Sequence, residues 1–114
     1  MTSSQRRKNA EPVSRGVDAY SVEFMILAKK EFDRLDKVVQ LQLLKKLRTR
    51  LAAPRVQADK LRGLSDCYKL KLRASGVRLV YEVIDNRLVV SVIAVGRRDD
   101  GAVYEAAKRQ LVRR

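Results

Sequence analysis

Tyr68-Lys69-Leu70-Lys71-Leu72-Arg73 is the stretch on which the fold turns, with Val77-Arg78-Leu79-Val80-Tyr81 following across Ser75 and Gly76. Apolar and cationic residues alternate with a period of two, the pattern of a half-buried strand. Leu70 and Leu72 would look inward, and Lys69, Lys71 and Arg73 outward. A strand needs a polar outer face for solubility, yet mixed charge would serve, and no acid is interleaved here. A neighbouring strand carrying Arg78 aims four cations at one side of a sheet, an arrangement suited to holding phosphate. A merely solvated face is the competing reading.

The flanking pattern extends this strand into a sheet. Three strands are expected, Cys67 to Arg73, Val77 to Asp85 and Leu88 to Val95, joined by Ser75-Gly76 and Asp85-Asn86. Short connections rich in turn residues favour an antiparallel meander. The third strand is nearly all apolar, which implies a central position buried on both faces. Gly96 would end it and expose Arg97 and Arg98 at its tip. Upstream, Tyr20 to Phe24 alternates and reads as a first strand.

Leu27, Ala28, Phe32 and Leu35 share one face of a short helix from Ile26 to Leu35, leaving Lys29, Lys30 and Arg34 outside. Asp36 is placed to N-cap a second helix, whose stripe of Val39, Leu43, Leu44, Leu47 and Leu51 faces the core until Pro54 stops it. Lys45, Lys46, Arg48 and Arg50 would then form a basic, solvated outer face. Arg55 to Asp66 reads as a loop, and Ala102 to Leu111 as a last helix with Tyr104 in its first turn. Residues 1–18 are polar, basic and aperiodic, with Pro12 and Gly16 as breakers, so they read as a flexible arm or an expression remnant. Residues 19–114 form one domain. The expected class is α+β, a small single domain with a mainly antiparallel four-stranded sheet packed against two N-terminal helices and a short C-terminal helix.

The 114 residues carry 26 Lys plus Arg against 13 Asp plus Glu, a formal net charge of +13. Charge of that size points to a polyanion: nucleic acid first, then a membrane surface, then an acidic protein segment. No apolar stretch approaches the roughly 18 residues of a membrane span, and the basic N-terminus lacks the apolar core of a signal peptide. A cytoplasmic location is expected. Cys67 is the single cysteine, which excludes an internal disulfide and a multi-cysteine zinc site, and it reads as a small core residue.

There is no histidine. Nuclease or hydrolase chemistry here cannot use imidazole, and a Ser-His-Asp triad is impossible. Crowded cations repel one another, and the repulsion favours the neutral form of a central lysine, which can then accept a proton. One lysine could take the proton of a ribose 2′-hydroxyl while arginines hold the scissile phosphate. A general base contributes about 10² to 10⁴ in rate, and one donor to developing charge about 3 to 4 kcal/mol, so several groups must act together. Tyr104 offers a flat surface for an unpaired base, worth about 1 to 3 kcal/mol; packing on the sheet is its other reading. The acids are dispersed, and the adjacent pair Asp99 and Asp100 reads as a turn rather than a metal site.

From Asp59 to Tyr81 the chain runs Asp59-Lys60-Leu61-Arg62-Gly63, two residues, Asp66-Cys67-Tyr68-Lys69-x-Lys71-Leu72-Arg73-x-Ser75-Gly76-x-Arg78-Leu79-Val80-Tyr81. This resembles the RelE toxins of bacterial toxin-antitoxin modules. The likeness takes in Pro54 and Arg55 upstream and continues through Val83-Ile84-Asp85, Val95-Gly96-Arg97-Arg98 and Val103-Tyr104, covering about Tyr20 to Leu111. It implies a fold like that of the small microbial ribonucleases and a ribosome-dependent endoribonuclease that cleaves mRNA in the A site, without metal or other cofactor.

By position, Lys69 and Lys71 match the family's catalytic lysines, Lys71 as general base. Arg78 and Arg98 match arginines that stabilise the pentacoordinate phosphate and protonate the leaving 5′ oxygen, and Tyr104 the aromatic that stacks on the message. Arg62, with Lys60, Arg73 and Arg97, would complete the RNA-binding set. Asp99 and Asp100 stand where the resemblance would have at least one more basic residue. The implied partners are the 70S ribosome, with its 16S rRNA and A-site mRNA, and a RelB-like antitoxin that wraps the toxin; operator DNA would be reached only through the antitoxin, and no membrane is involved. Two other readings stay open, a ParE-like toxin acting on DNA gyrase and a plain basic module for nucleic acid.

Overall fold

The computed structural model describes residues 20–97 and 101–113. Strand β1 (Ser21–Phe24) leads into helices α1 (Ile26–Asp33) and α2 (Lys37–Arg48), and a 3₁₀ turn at Gln57–Asp59 precedes β2 (Cys67–Leu72), β3 (Val77–Ile84), β4 (Val89–Arg97) and α3 (Ala102–Arg113). The sheet order is β1-β4-β3-β2. Strands β2, β3 and β4 form the expected antiparallel meander, and β1 adds to β4 in parallel, Ser21 beside Val89. The expected α+β class is the one observed. The N-terminal arm lies outside the described residues.

Alternation along β2 divides the two faces of the sheet. Tyr68, Leu70 and Leu72 enter a core with Ala28 and Phe32 of α1, Leu43 and Leu47 of α2, and Leu79, Tyr81, Val83, Val90, Val92 and Val95. Leu43 and Leu47 are fully buried; truncating either to alanine would cost about 2 to 5 kcal/mol. Cys67, Val80, Ile93 and Ala94 face the other way, where α3 covers them with Val103 and Ala107. Strand β4 is therefore buried on both sides, as its nearly all-apolar sequence implies.

A bulge breaks the β3–β4 register. Val80 opposes Ala94 while Tyr81 opposes Val92, which leaves Ile93 as the extra residue, so Ile93 and Ala94 both reach the α3 side. Beyond the bulge, β4 runs through Gly96 to Arg97 rather than stopping at Gly96. A side chain on Gly96 would lie 3.6 Å from Val103 Cβ, close to where α3 crosses the sheet.

Other elements shift by a residue or two from expectation. Leu88 does not open β4; it adopts a left-handed conformation (φ 53°) that closes the 3₁₀ turn Asp85–Arg87. Asp36 stands at the N-cap of α2 but makes no side-chain cap bond. Gln40 does the joining instead, donating from Nε2 to the carbonyls of Phe32, Asp33 and Leu35 and so fastening the end of α1 to α2.

Candidate active site

Lys69 and Lys71 leave β2 on the face of the sheet that α3 only partly covers. Lys71 pairs in register with Arg78 of β3, and Arg78 with Gly96 of β4. Gly96 contributes no side chain, and Val103 at the N-terminal end of α3 packs close over it. Tyr104, half-buried in the first turn of α3, packs against the same face. Among the described residues, no carboxylate lies within ion-pair distance of Lys69, Lys71, Arg73 or Arg78. Lys71, Arg73, Gly76 and Arg78 line a bay of about 360 Å³.

That crowding has an electrostatic consequence. The ammonium of Lys69, then the guanidinium of Arg78, push the Lys71 pKa below the ordinary lysine value, with partial desolvation and Arg73 adding to the effect and Asp59 opposing it. A lysine with a depressed pKa spends more time as a free amine able to accept a proton. The same repulsion strains the fold until an anion neutralises it.

The remaining predicted residues fall into three places. Lys60 and Arg62 line a second, larger bay of about 760 Å³ on the loop before β2, where the Lys60 ammonium lies 5.3 Å from the centre of the Tyr68 ring. Arg73 is exposed in the β2–β3 turn. Arg97 pairs with Val77, whose side chain enters the opposite core, so alternation carries Arg97 away from the cation cluster; its Nη1 donates to the Ser75 carbonyl at 3.3 Å. The expected convergence of Arg97 with Lys69, Lys71 and Arg78 is therefore not what the strand register produces. Arg98, Asp99 and Asp100 lie outside the described residues.

Two residues read from the sequence as a solvated helix face prove to be attached to the site. Lys46 Nζ donates to the Lys71 carbonyl at 2.7 Å, and Arg50 Nη1 to the Lys69 carbonyl at 2.9 Å. The signal was their spacing: positions 46 and 50 fall three residues after Leu43 and Leu47, beside the buried stripe rather than opposite it.

Residues 22–101 match the profile of the ParE toxin of type II toxin-antitoxin system, parDE. The chain is 54% identical over 94 residues to the mRNA interferase toxin RelE of Escherichia coli K12, covering 82% of this chain and 99% of that protein. It is 49% identical over 92 residues to a putative RelE-like toxin protein of Escherichia coli. A free Escherichia coli RelE carrying two arginine-to-alanine substitutions superposes with a TM-score of 0.76 at 49% identity, covering 82% of this chain and 98% of that one. RelE in the intact Escherichia coli RelBE toxin-antitoxin complex superposes at 0.68 with 53% identity, covering 71% of this chain and 99% of that one.

Proposed function

The chain belongs to the RelE and ParE family of type II toxins, and from that premise we propose that it is an mRNA interferase, a ribosome-dependent endoribonuclease that silences translation until an antitoxin neutralises it. The observation that carries the reading is the set Lys69, Lys71 and Arg78 on one face, none of them in an ion pair among the described residues. A phosphodiester supplies the negative charge that such a set would hold.

The chemistry follows from the placement. Lys71, its pKa held down chiefly by Lys69, takes the proton of the ribose 2′-hydroxyl. The 2′ oxygen attacks phosphorus, the bond to the 5′ oxygen breaks, and a 2′,3′-cyclic phosphate remains. Lys69 and Arg78 hold the negative charge that grows on the equatorial oxygens. Arg98 takes the role of proton donor to the leaving oxygen, as the resemblance assigns it. Tyr104 stacks on a base and Arg62 and Lys60 hold the flanking backbone. The general base supplies about 10² to 10⁴ in rate and each charge-stabilising donor about 10² to 10³, so the ribosome's alignment of the message supplies the rest.

The antitoxin reading rests on relatives seen with RelB and on a groove of about 230 Å³ between α1 and α3, lined by Leu27, Ala28, Ile93, Ala94, Val95 and Ala106 together with the polar Glu31, Arg109 and Gln110. Among the described residues no helix is long and apolar enough to cross a membrane, which fits the cytoplasmic site where ribosomes are met.

Primer extension on mRNA from ribosomes programmed with a defined A-site codon tests the proposal. The wild-type chain is expected to stop extension within the A site, and Arg78→Ala to abolish the stop. Toxicity that survives substitution of Lys69, Lys71, Arg78 and Tyr104, with no RNA cut, would instead indicate a ParE-like attack on gyrase. Salt-sensitive binding without cleavage would indicate a plain nucleic-acid module.

A further inference from the structure

Strand β2 is last in the sheet, so one of its edges has no neighbouring strand. An open edge is ordinarily a liability, because its carbonyls go unpaired. Along β2 every second carbonyl is nonetheless occupied: that of Cys67 accepts from the Leu61 N–H at 2.9 Å, that of Lys69 from Arg50, and that of Lys71 from Lys46. The two residues whose side chains would meet the phosphate are thus gripped through their backbones.

Arg50 does more than cap an edge. Only 13% of its side chain is exposed, and its Nη2 donates to Asp59 Oδ2 at 2.6 Å. Nη1 also reaches the Tyr81 hydroxyl at 3.2 Å, and that hydroxyl donates to the Pro54 carbonyl at 2.7 Å. One guanidinium therefore ties the segment after α2 to the 3₁₀ turn, to β2 and to β3. Asp59, the acid it holds, is also the carboxylate whose charge acts on Lys71 against Lys69 of β2, Arg78 of β3 and Arg73 of the turn between them. From α2, Lys46 approaches the Lys71 backbone.

Resting on the nuclease reading above, we propose that Arg50 is a positioning residue of the cleavage site. It fixes the Lys69 backbone and holds Asp59 on its own side of the strand edge, so that the lysine pair meets the scissile phosphate in one geometry. A purely structural arginine would alter only stability.

The test is single-turnover cleavage on A-site-programmed ribosomes across a pH series, with ribosome affinity and thermal melting measured on the same samples. Arg50→Met is expected to slow cleavage about tenfold while ribosome affinity stays within about twofold. Its pH–rate midpoint should move up, because a freed Asp59 favours the charged form of Lys71. Adding Asp59→Asn should return the midpoint but not the rate, and Arg50→Lys should recover part of the rate. A folded Arg50→Met that cleaves at the wild-type rate with an unmoved midpoint overturns the proposal. Should Arg50→Met fail to fold, Arg50→Lys decides: cleavage slowed at unchanged ribosome affinity supports the proposal, cleavage at the wild-type rate overturns it. A wild-type chain that cuts nothing would sink the nuclease reading itself.

Discussion

The two ends of the β2–β3 pair treat their charges in opposite ways. Where Lys71 faces Arg78, cations stand together with no ion-pair partner among the described residues. At the far end, Arg55 donates from Nε to Asp66 at 3.1 Å and from its two terminal nitrogens to Asp85 at 3.1 and 3.0 Å, and the Tyr20 hydroxyl donates to the same Asp85. The guanidinium of Arg55, and then Tyr20, hold the Asp85 carboxyl below the usual carboxylate range. One end joins the start of β1, the loop before β2 and the β3–β4 turn through matched charges. The other holds charges that the proposed function assigns to RNA. On that proposal stability is gathered at one end and binding capacity at the other, and substitutions should separate the two.

The largest expected effect is at Lys71. Lys71→Met should lower single-turnover cleavage by about 10² to 10⁴ and leave the melting temperature unchanged or higher, since it relieves repulsion. A melting temperature that falls together with activity would make the residue structural and break the contrast. Arg78→Ala should cost about 10² to 10³ in the same assay, again without loss of fold.

A subtler effect belongs to Lys69, the largest influence on Lys71. Lys69→Met should raise the pKa of Lys71 and move the pH–rate midpoint upward, on top of the loss of phosphate binding. A midpoint that stays in place would show that another group titrates in the reaction.

The smallest effect on cleavage is expected at the matched end. Arg55→Ala should lower the melting temperature by a few degrees and leave cleavage per folded molecule near wild type. Because the Asp85 carboxyl is depressed, the stabilisation it provides is complete above the ordinary carboxylate pKa of 3.8 and fades as pH falls through the lower folded-state value. The gap in melting temperature between wild type and Arg55→Ala should therefore close in acid. A gap that is constant with pH would point to packing rather than charge. Such ion pairs are partly exposed and individually weak.

Strands were the most legible part of this chain. The alternation at Lys69, Lys71 and Arg73 was readable because one face of β2 is apolar and the other is not. Strand β4 carried no such alternation, being apolar on both sides, so the side on which Arg97 would emerge could not be read from it. The bulge at Ile93 shifts the register by one residue, and Arg97 lands opposite the cation cluster. Lys46 and Arg50 were missed for a different reason. Their carbonyl partners lie 25 and 19 residues away in sequence, and spacing beside the buried stripe places both near the core without reporting which strand edge they will meet. The role of Asp59 as a charge facing Lys71 depends on the same non-local fold.

On the proposed mechanism the cation cluster holds a phosphate while the neighbouring 2′-hydroxyl attacks it. The direct test is to program ribosomes with an mRNA carrying a single 2′-deoxynucleotide immediately before the scissile phosphate and to compare it with the unmodified message. The unmodified mRNA should be cut to a 2′,3′-cyclic phosphate end, and the deoxy-substituted mRNA should survive intact at that bond. Equal cleavage of both messages would contradict that mechanism.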